Sequence, residues 1–219
     1  LGYTKMVIII VIIGWGQIAD LLFEHPDVVG YVRQDLERII DAKTGRIVGR
    51  VDPDFHVGVI GIGKSTYKER RSKQWLARGC KLGTLIHPTA YVSPKAQIGK
   101  GSVVMPLAFV DDKSRIGRCT IVGPQSALRV ASVGNYCHLA IQVKVLPYSK
   151  IRDYVFVGSG STILENIVVG QFSVVGAGST VATNIPPRHK YIQEAYAGVT
   201  EIRSTYPMTH KEKVKMWRE

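Results

Sequence analysis

The sequence predicts two units in tandem: an α/β Rossmann-like domain over residues 1–85, then an all-β left-handed parallel β-helix over 86–187. A C-terminal extension covers 188–219. Three observations predict this. The first unit alternates short apolar runs with helix-like segments through glycine turns. From Ile86 onward an aliphatic residue recurs at every sixth position, a period that belongs to neither helix nor strand. Glycine, proline or aspartate often stands just behind that aliphatic, where the chain has to turn.

In the first unit, "KMVIIIVIIG" reads as a strand buried on both faces, as parallel strands are. Its apolar run, Met6 to Ile13, falls far short of the ~20 residues that span a bilayer. A secretory signal is not expected either, because one lysine precedes the run and no small-residue cleavage site follows it. "QIADLLFEH" places Ile18, Leu21 and Leu22 on one helical face. "DVVGYV" and "HVGVIGIG" are two further strands, and "TYKERRSKQWLARG" is a helix closed by Gly79. Gly14 and Gly16 follow the first strand, where a sharp turn and a helix N-terminus can receive an anion. Ala19 takes the place of a third glycine, and Arg33 and Gln34 stand near where a ribose-binding acid is wanted. Dinucleotide binding is therefore disfavoured.

The second unit beats in six from Ile86 to Leu128, through Val92, Ile98, Val104, Val110, Ile116 and Val122. The beat resumes at Val133 and runs to Val181, making seventeen aliphatics in register. Three hexapeptides make one triangular coil, so the solenoid is expected to hold between five and six coils. Each aliphatic is expected to point into the coil, and the N-terminal domain to cap the first end. Between Leu128 and Val133 the step is five, so one residue is missing there.

Composition fits a globular protein, with 45% hydrophobic and 21% charged residues. Three cysteines with no CxxC pair favour reduced thiols and a cytoplasmic setting over disulfides or zinc. The net charge of +12 is concentrated in 64–81 and from Arg188 onward. A solvated helix face and a basic tail explain it, with attraction to phosphate-bearing small molecules as the sharper alternative. No zinc finger, RNP motif or homeodomain signature supports nucleic acid as the partner.

With "LIHPTAYVSPKAQIGKG" joining the two units and the "VGSGSTI…VGAGSTV" pair near the end, the chain resembles the nucleotide-sugar acetyltransferases of the bacillosamine and sialic-acid type. The resemblance runs from Lys5 to about Gly198. It implies a homotrimer that moves an acetyl group from acetyl-CoA to an amino or hydroxyl group of a nucleotide-linked sugar, without a metal. It places the sugar nucleotide at Gly14, Gly16, Gln17, Ile18, Arg33, Gln34, Gly63 and Thr66. The family has glycine and histidine where Gln17 and Ile18 stand, and aspartates where Arg33 and Gln34 stand. It places acetyl-CoA at His138, Ser159 and Ala177.

The same resemblance demands a histidine as general base, half a coil before His138. Counting back from His138 reaches Arg129, and counting forward from Val122 reaches Val130. Arginine stays protonated and valine accepts no proton. His138 is the substitute candidate. The alternative is a catalytically inactive trimeric relative that binds ligand or serves as a scaffold. A hexapeptide carbonic anhydrase is a poor fit, because the solenoid offers only His87 and His138.

Overall fold

The structure is a computed structural model that describes residues 9–13, 28–32, 38–40, 46–54, 56–192 and 199–201. Its N-terminal part is a six-stranded mixed sheet. In chain order the strands are β1 (Ile9–Ile13), β2 (Val28–Val32), β3 (Arg38–Ile40), β4 (Ile47–Arg50), β5 (His56–Ile60) and β6 (Lys81–Leu82). They lie in the order β4-β3-β2-β1-β5-β6. β1 is central and parallel to both β2 and β5, while β3 and β4 form an antiparallel hairpin on the β2 edge.

The helix expected after the third strand is α1 (Ser65–Ala77). It ends as glycine-closed helices do: Gly79 has φ +80°, and the Arg78 and Gly79 N–H groups reach back to the Trp75 and Leu76 carbonyls. Its buried stripe is Ser65, Lys68, Ser72 and Trp75. Three of these four side chains are polar, so the helix is not simply the solvated basic face its composition implies.

From Leu85 the chain winds into a three-faced parallel β-solenoid of the left-handed type. Seventeen two-residue strands, from Leu85–Ile86 to Thr180–Val181, stack into three sheets. His189–Tyr191 and Val199–Glu201 extend one of these sheets. Fourteen of the predicted interior aliphatics, from Val104 to Val181, are at most 4% exposed and form one continuous core. The first rungs differ from expectation. Ile86 is 39% exposed and Val92 and Ile98 are half-buried, while Leu85, in register with Val103 on the outer face, is the buried residue at that level. The reason is where the N-terminal part sits: its described residues meet the flank of the solenoid rather than its end. The Ile60 N–H donates to the Gly101 carbonyl, and Ile60 and Trp75 pack against Cys119 and Tyr136.

From Gly101 to Gly178 each corner is turned by one residue in the left-handed region, among them Lys113, Gln125 and Asn166. Glycine does this without a Cβ penalty, whereas other residues lose roughly 1–2 kcal/mol. The residue that follows is commonly a buried serine or threonine, and its hydroxyl joins one coil to the next. Ser102 Oγ donates to the Gly117 carbonyl and accepts from the Thr120 N–H. Thr120, Ser126, Ser149 and Ser161 repeat the same pair of bonds.

The missing residue is absorbed at a single corner. Arg115 pairs with Ser132, Ile121 with His138 and Ala127 with Lys144, each 17 residues on. Elsewhere the stacked pairs are 18 apart, as for Phe109 with Ala127 or Ser132 with Lys150. No strand is lost and no side chain changes face. The short corner compresses Arg129, Val130 and Ala131 between two strands and leaves Val130 at φ +44°. A β-branched residue is a poor occupant of that region. Val130→Asn is expected to raise thermal stability by about 1 kcal/mol, read as an increase in Tm of a few degrees.

Candidate functional site

β1, β2 and β5 lie side by side and run the same way, ending at Ile13, Val32 and Ile60. The segments that leave these three ends therefore start from one edge of the sheet, where α/β sheets bind ligands. Gly14, Gly16, Gln17, Ile18, Arg33 and Gln34 lie outside the described residues. Gly63 and Thr66 are described: Gly63 lies between β5 and α1, and Thr66 is the second residue of α1.

This turn rests on His138. The strand His138–Leu139 is locked between Ile121–Val122 and Phe156–Val157. Leu139 points into the core and His138 to the outer face, where α1 and β5 cover the solenoid. The imidazole meets the Phe156 ring edge-on at 5.3 Å between centroids and bonds the Gly63 backbone. Its Nδ1 is buried with no hydrogen-bond partner, and so is Thr66 Oγ1. Unpaired buried polar atoms are rare in folded proteins, and two occur at this one junction. With Nδ1 unpaired, the bond to Gly63 falls to Nε2. The ring thus donates at Nε2 and offers a lone pair at Nδ1.

Lys68 completes the junction. The helix carries its side chain wholly beneath the surface, where the ammonium donates to the Cys137 carbonyl. Cys119 and Cys137 lie close by, and Ser72 bonds Cys119. With no carboxylate to compensate burial, the Lys68 pKa falls from 10.5 to about 7. Burial first, then the Lys68 charge, pushes His138 down to about 3, against a small upward pull from Gly63. At neutral pH the imidazole is uncharged. Burial raises the Cys137 thiol to about 12, so it is no nucleophile.

Ser159 and Ala177 occupy a neighbouring edge of the solenoid, one coil apart, and both are exposed. Along this edge the left-handed position is Leu107, Gln125 and Gln142 in the earlier coils, then Gly160 and Gly178. A Cβ built on either glycine would meet nothing within 4 Å. The backbone is bare there, and the Gly178 N–H bonds the Ser159 carbonyl.

The corner at 129–131 is built differently. Arg129 is largely exposed and its Nε stands 3.6 Å from Asp111 Oδ2. Val130 turns the corner, so neither residue puts a proton acceptor there. This corner and His138 lie at different places around the coil, and the short step leaves the pairing of His138 with Ile121 and Phe156 intact. Sequence reading did not single out Lys68. A lysine among "KERRSK" gives no sign of burial except its i, i+4 spacing from Ser72, which joins Trp75 on the same face.

No family model matches the chain, and no curated protein matches it. Solved structures do. The acetyltransferase domain of PglB from Neisseria gonorrhoeae is 21% identical with a TM-score of 0.77, covering 86% of this chain and 98% of its own. The chain has the fold of the hexapeptide-repeat acyltransferases. The same domain in complex with acetyl coenzyme A is 25% identical at TM-score 0.63, covering 84% and 95%. A mutant perosamine N-acetyltransferase from Caulobacter crescentus, in complex with CoA and GDP-perosamine, is 26% identical at TM-score 0.61, covering 88% and 96%.

Both depressed pKa values act on stability in the same direction. The folded chain binds fewer protons than the unfolded chain between pH 3 and 6.5 through His138, and between pH 7 and 10.5 through Lys68. The contribution of these two groups to stability therefore rises with pH across both windows, opposed above about pH 9 by the raised Cys137 thiol. The Lys68 part amounts to roughly 3–5 kcal/mol. Lys68→Met is expected to abolish the rise in urea unfolding measured from pH 7 to 8.5, below the range where the raised thiols oppose it. The Cys137 carbonyl stays satisfied in that variant by the Ile121 N–H.

Proposed function

We propose that this chain is a CoA-dependent acetyltransferase acting on the amino group of a nucleotide-linked sugar. One observation carries the reading: Thr66 Oγ1 and His138 Nδ1 are left unpaired together where the N-terminal turn meets the solenoid. Support comes from the fold it shares with sugar N-acetyltransferases seen with acetyl-CoA or with CoA and GDP-perosamine. In this reading the N-terminal sheet is Rossmann-like. The nucleotide lies at the ends of β1, β2 and β5, over Gly14, Gly16, Gln17, Ile18, Arg33, Gln34, Gly63 and Thr66. The pantetheine arm of acetyl-CoA lies along the bare edge at Ser159–Gly160 and Ala177–Gly178. The basic charge suits two diphosphate-bearing substrates.

The sugar amine attacks the thioester carbonyl, a C–N bond forms, the C–S bond breaks, and sulfur leaves as CoA thiolate. One proton has to pass from nitrogen to sulfur. His138 is held in the tautomer that takes it, with Nε2–H on Gly63 and a lone pair at Nδ1. Substrate at the Nδ1 side of the ring supplies the polar partner it lacks, while Nε2 stays on Gly63.

The functional unit is a homotrimer in the cytoplasm. Leu107, Phe109 and Ile141 are exposed large apolar side chains of the solenoid, and Tyr91 stacks on Phe109 at 5.1 Å. Apolar surface of this kind favours association with further copies. The three free cysteines are all buried, which suits a reducing compartment.

A second reading has its own support at the short corner. Arg129 pairs with Asp111 and Val130 has no acceptor, so an inactive relative that binds both ligands without turnover is the alternative. Thiol release from acetyl-CoA, measured with a panel of UDP-, GDP- and dTDP-linked amino sugars, separates the two. The enzyme reading expects release with at least one sugar. His138→Ala lowers it by 10²-fold or more, in the range of general-base losses, and Arg129→Ala changes it less than about threefold. CoA binding with no release from any sugar establishes the inactive relative.

A further inference from the structure

Beyond this site, a cavity of about 300 Å³ opens between the C-terminal half of α1 and the corner formed by the early coils. Three cations line it, Lys81, Lys100 and Arg118, together with Leu76, Leu82 and Tyr136. Lys100 and Arg118 hold the same corner position in successive coils, because the Cys119 N–H bonds the Lys100 carbonyl and the Tyr136 N–H bonds the Arg118 carbonyl. Stacked coils are about 4.8 Å apart, and like charges directly opposite one another at that spacing repel.

Asp153 and Glu69 are engaged elsewhere. Asp153, further along the same edge, accepts from the Asn135 backbone N–H at 2.8 Å and from its side-chain amide at 3.2 Å. Glu69 pairs with Lys73 at 2.7 Å. Among the described residues no ion pair engages Lys81, Lys100 or Arg118. The cations also border an apolar wall: the Arg118 guanidinium stands 5.3 Å from the Tyr136 ring centre, and Leu76 and Leu82 complete the lining.

We propose that this cleft is a second ligand site, for a phosphate monoester that carries a flat apolar group. The phosphate sits among Lys81, Lys100 and Arg118, and the flat group lies against Leu76 and Leu82, while the buried Tyr136 ring, stacked on Tyr154, backs the Arg118 guanidinium. A volume of about 300 Å³ is at the lower end for small-molecule sites, which fits a monophosphate and excludes a dinucleotide. The cleft lies at Ser72 and Leu76 of α1, six and ten residues or about 9 and 15 Å along the helix from Thr66. It is therefore separate from the acetyl-transfer junction, yet the same helix borders both.

Adenosine monophosphate is the probe, titrated calorimetrically into the full-length chain with CoA saturating, in parallel with adenosine and with inorganic phosphate. The expected result is one AMP per chain, with adenosine and inorganic phosphate each at least tenfold weaker and affinity falling as salt rises. The Lys100→Gln/Arg118→Gln variant changes exposed side chains only and is expected to keep the wild-type melting temperature within a few degrees. Its AMP affinity is expected to fall at least tenfold. Undetectable AMP binding at millimolar concentration, equal binding of inorganic phosphate, or unchanged affinity in the double variant each overturns the proposal. None of these readouts depends on acetyl transfer, so the two proposals fail separately.

Discussion

The whole structure depends on one requirement: every coil must change direction three times without breaking the backbone ladder to the coils above and below. From Gly101 onward a left-handed residue makes each turn, and at many corners the hydroxyl beside it satisfies backbone groups that the turn would otherwise strand. The aliphatic core follows from this. Once corners are stacked, each two-residue strand sends one side chain inward, and those side chains pile into a column of Val, Ile and Leu. Corner chemistry fixes the repeat, and burial makes it stable.

That order of cause explains how much was legible. The six-residue beat exposes the core directly, because inward positions leave no choice but aliphatics from Val104 onward. The corner serines, by contrast, look like ordinary loop residues until their bonds are traced. The hairpin of β3 and β4 was also missed, although "RII" and "IVGR" flank a turn-forming "AKTG". The position of the N-terminal part could not be read from the chain at all. Its contact face on α1 is Ser65, Lys68, Ser72 and Trp75, a stripe without the apolar periodicity that announces packing. For the site, Gly63, Thr66 and His138 come together as neighbours, whereas Ser159 and Ala177 belong to an adjoining edge.

The junction gains its chemical character from being incompletely paired. A lysine, a histidine and two thiols are enclosed with no carboxylate among them, so each is driven toward its neutral form. Hydrophobic side chains of similar volume would pack this region at lower cost. What the polar set supplies is direction: Lys68 ties α1 to the carbonyl next to His138, and Gly63 ties the turn to the ring itself. The substrate-side turn and the solenoid strand are thereby held in one fixed relation.

The short corner bears on how such a chain changes over generations. In most folds the loss of a residue displaces everything downstream, and selection removes it. Here Ser132 and every later strand fall back into step, so the deletion costs a strained valine and leaves the scaffold standing. Each vertex of the triangle is in that sense an independently editable locus. A solenoid of this kind can discard or reacquire a reactive group at one vertex while its architecture, and the binding surfaces on its other edges, pass on unaltered.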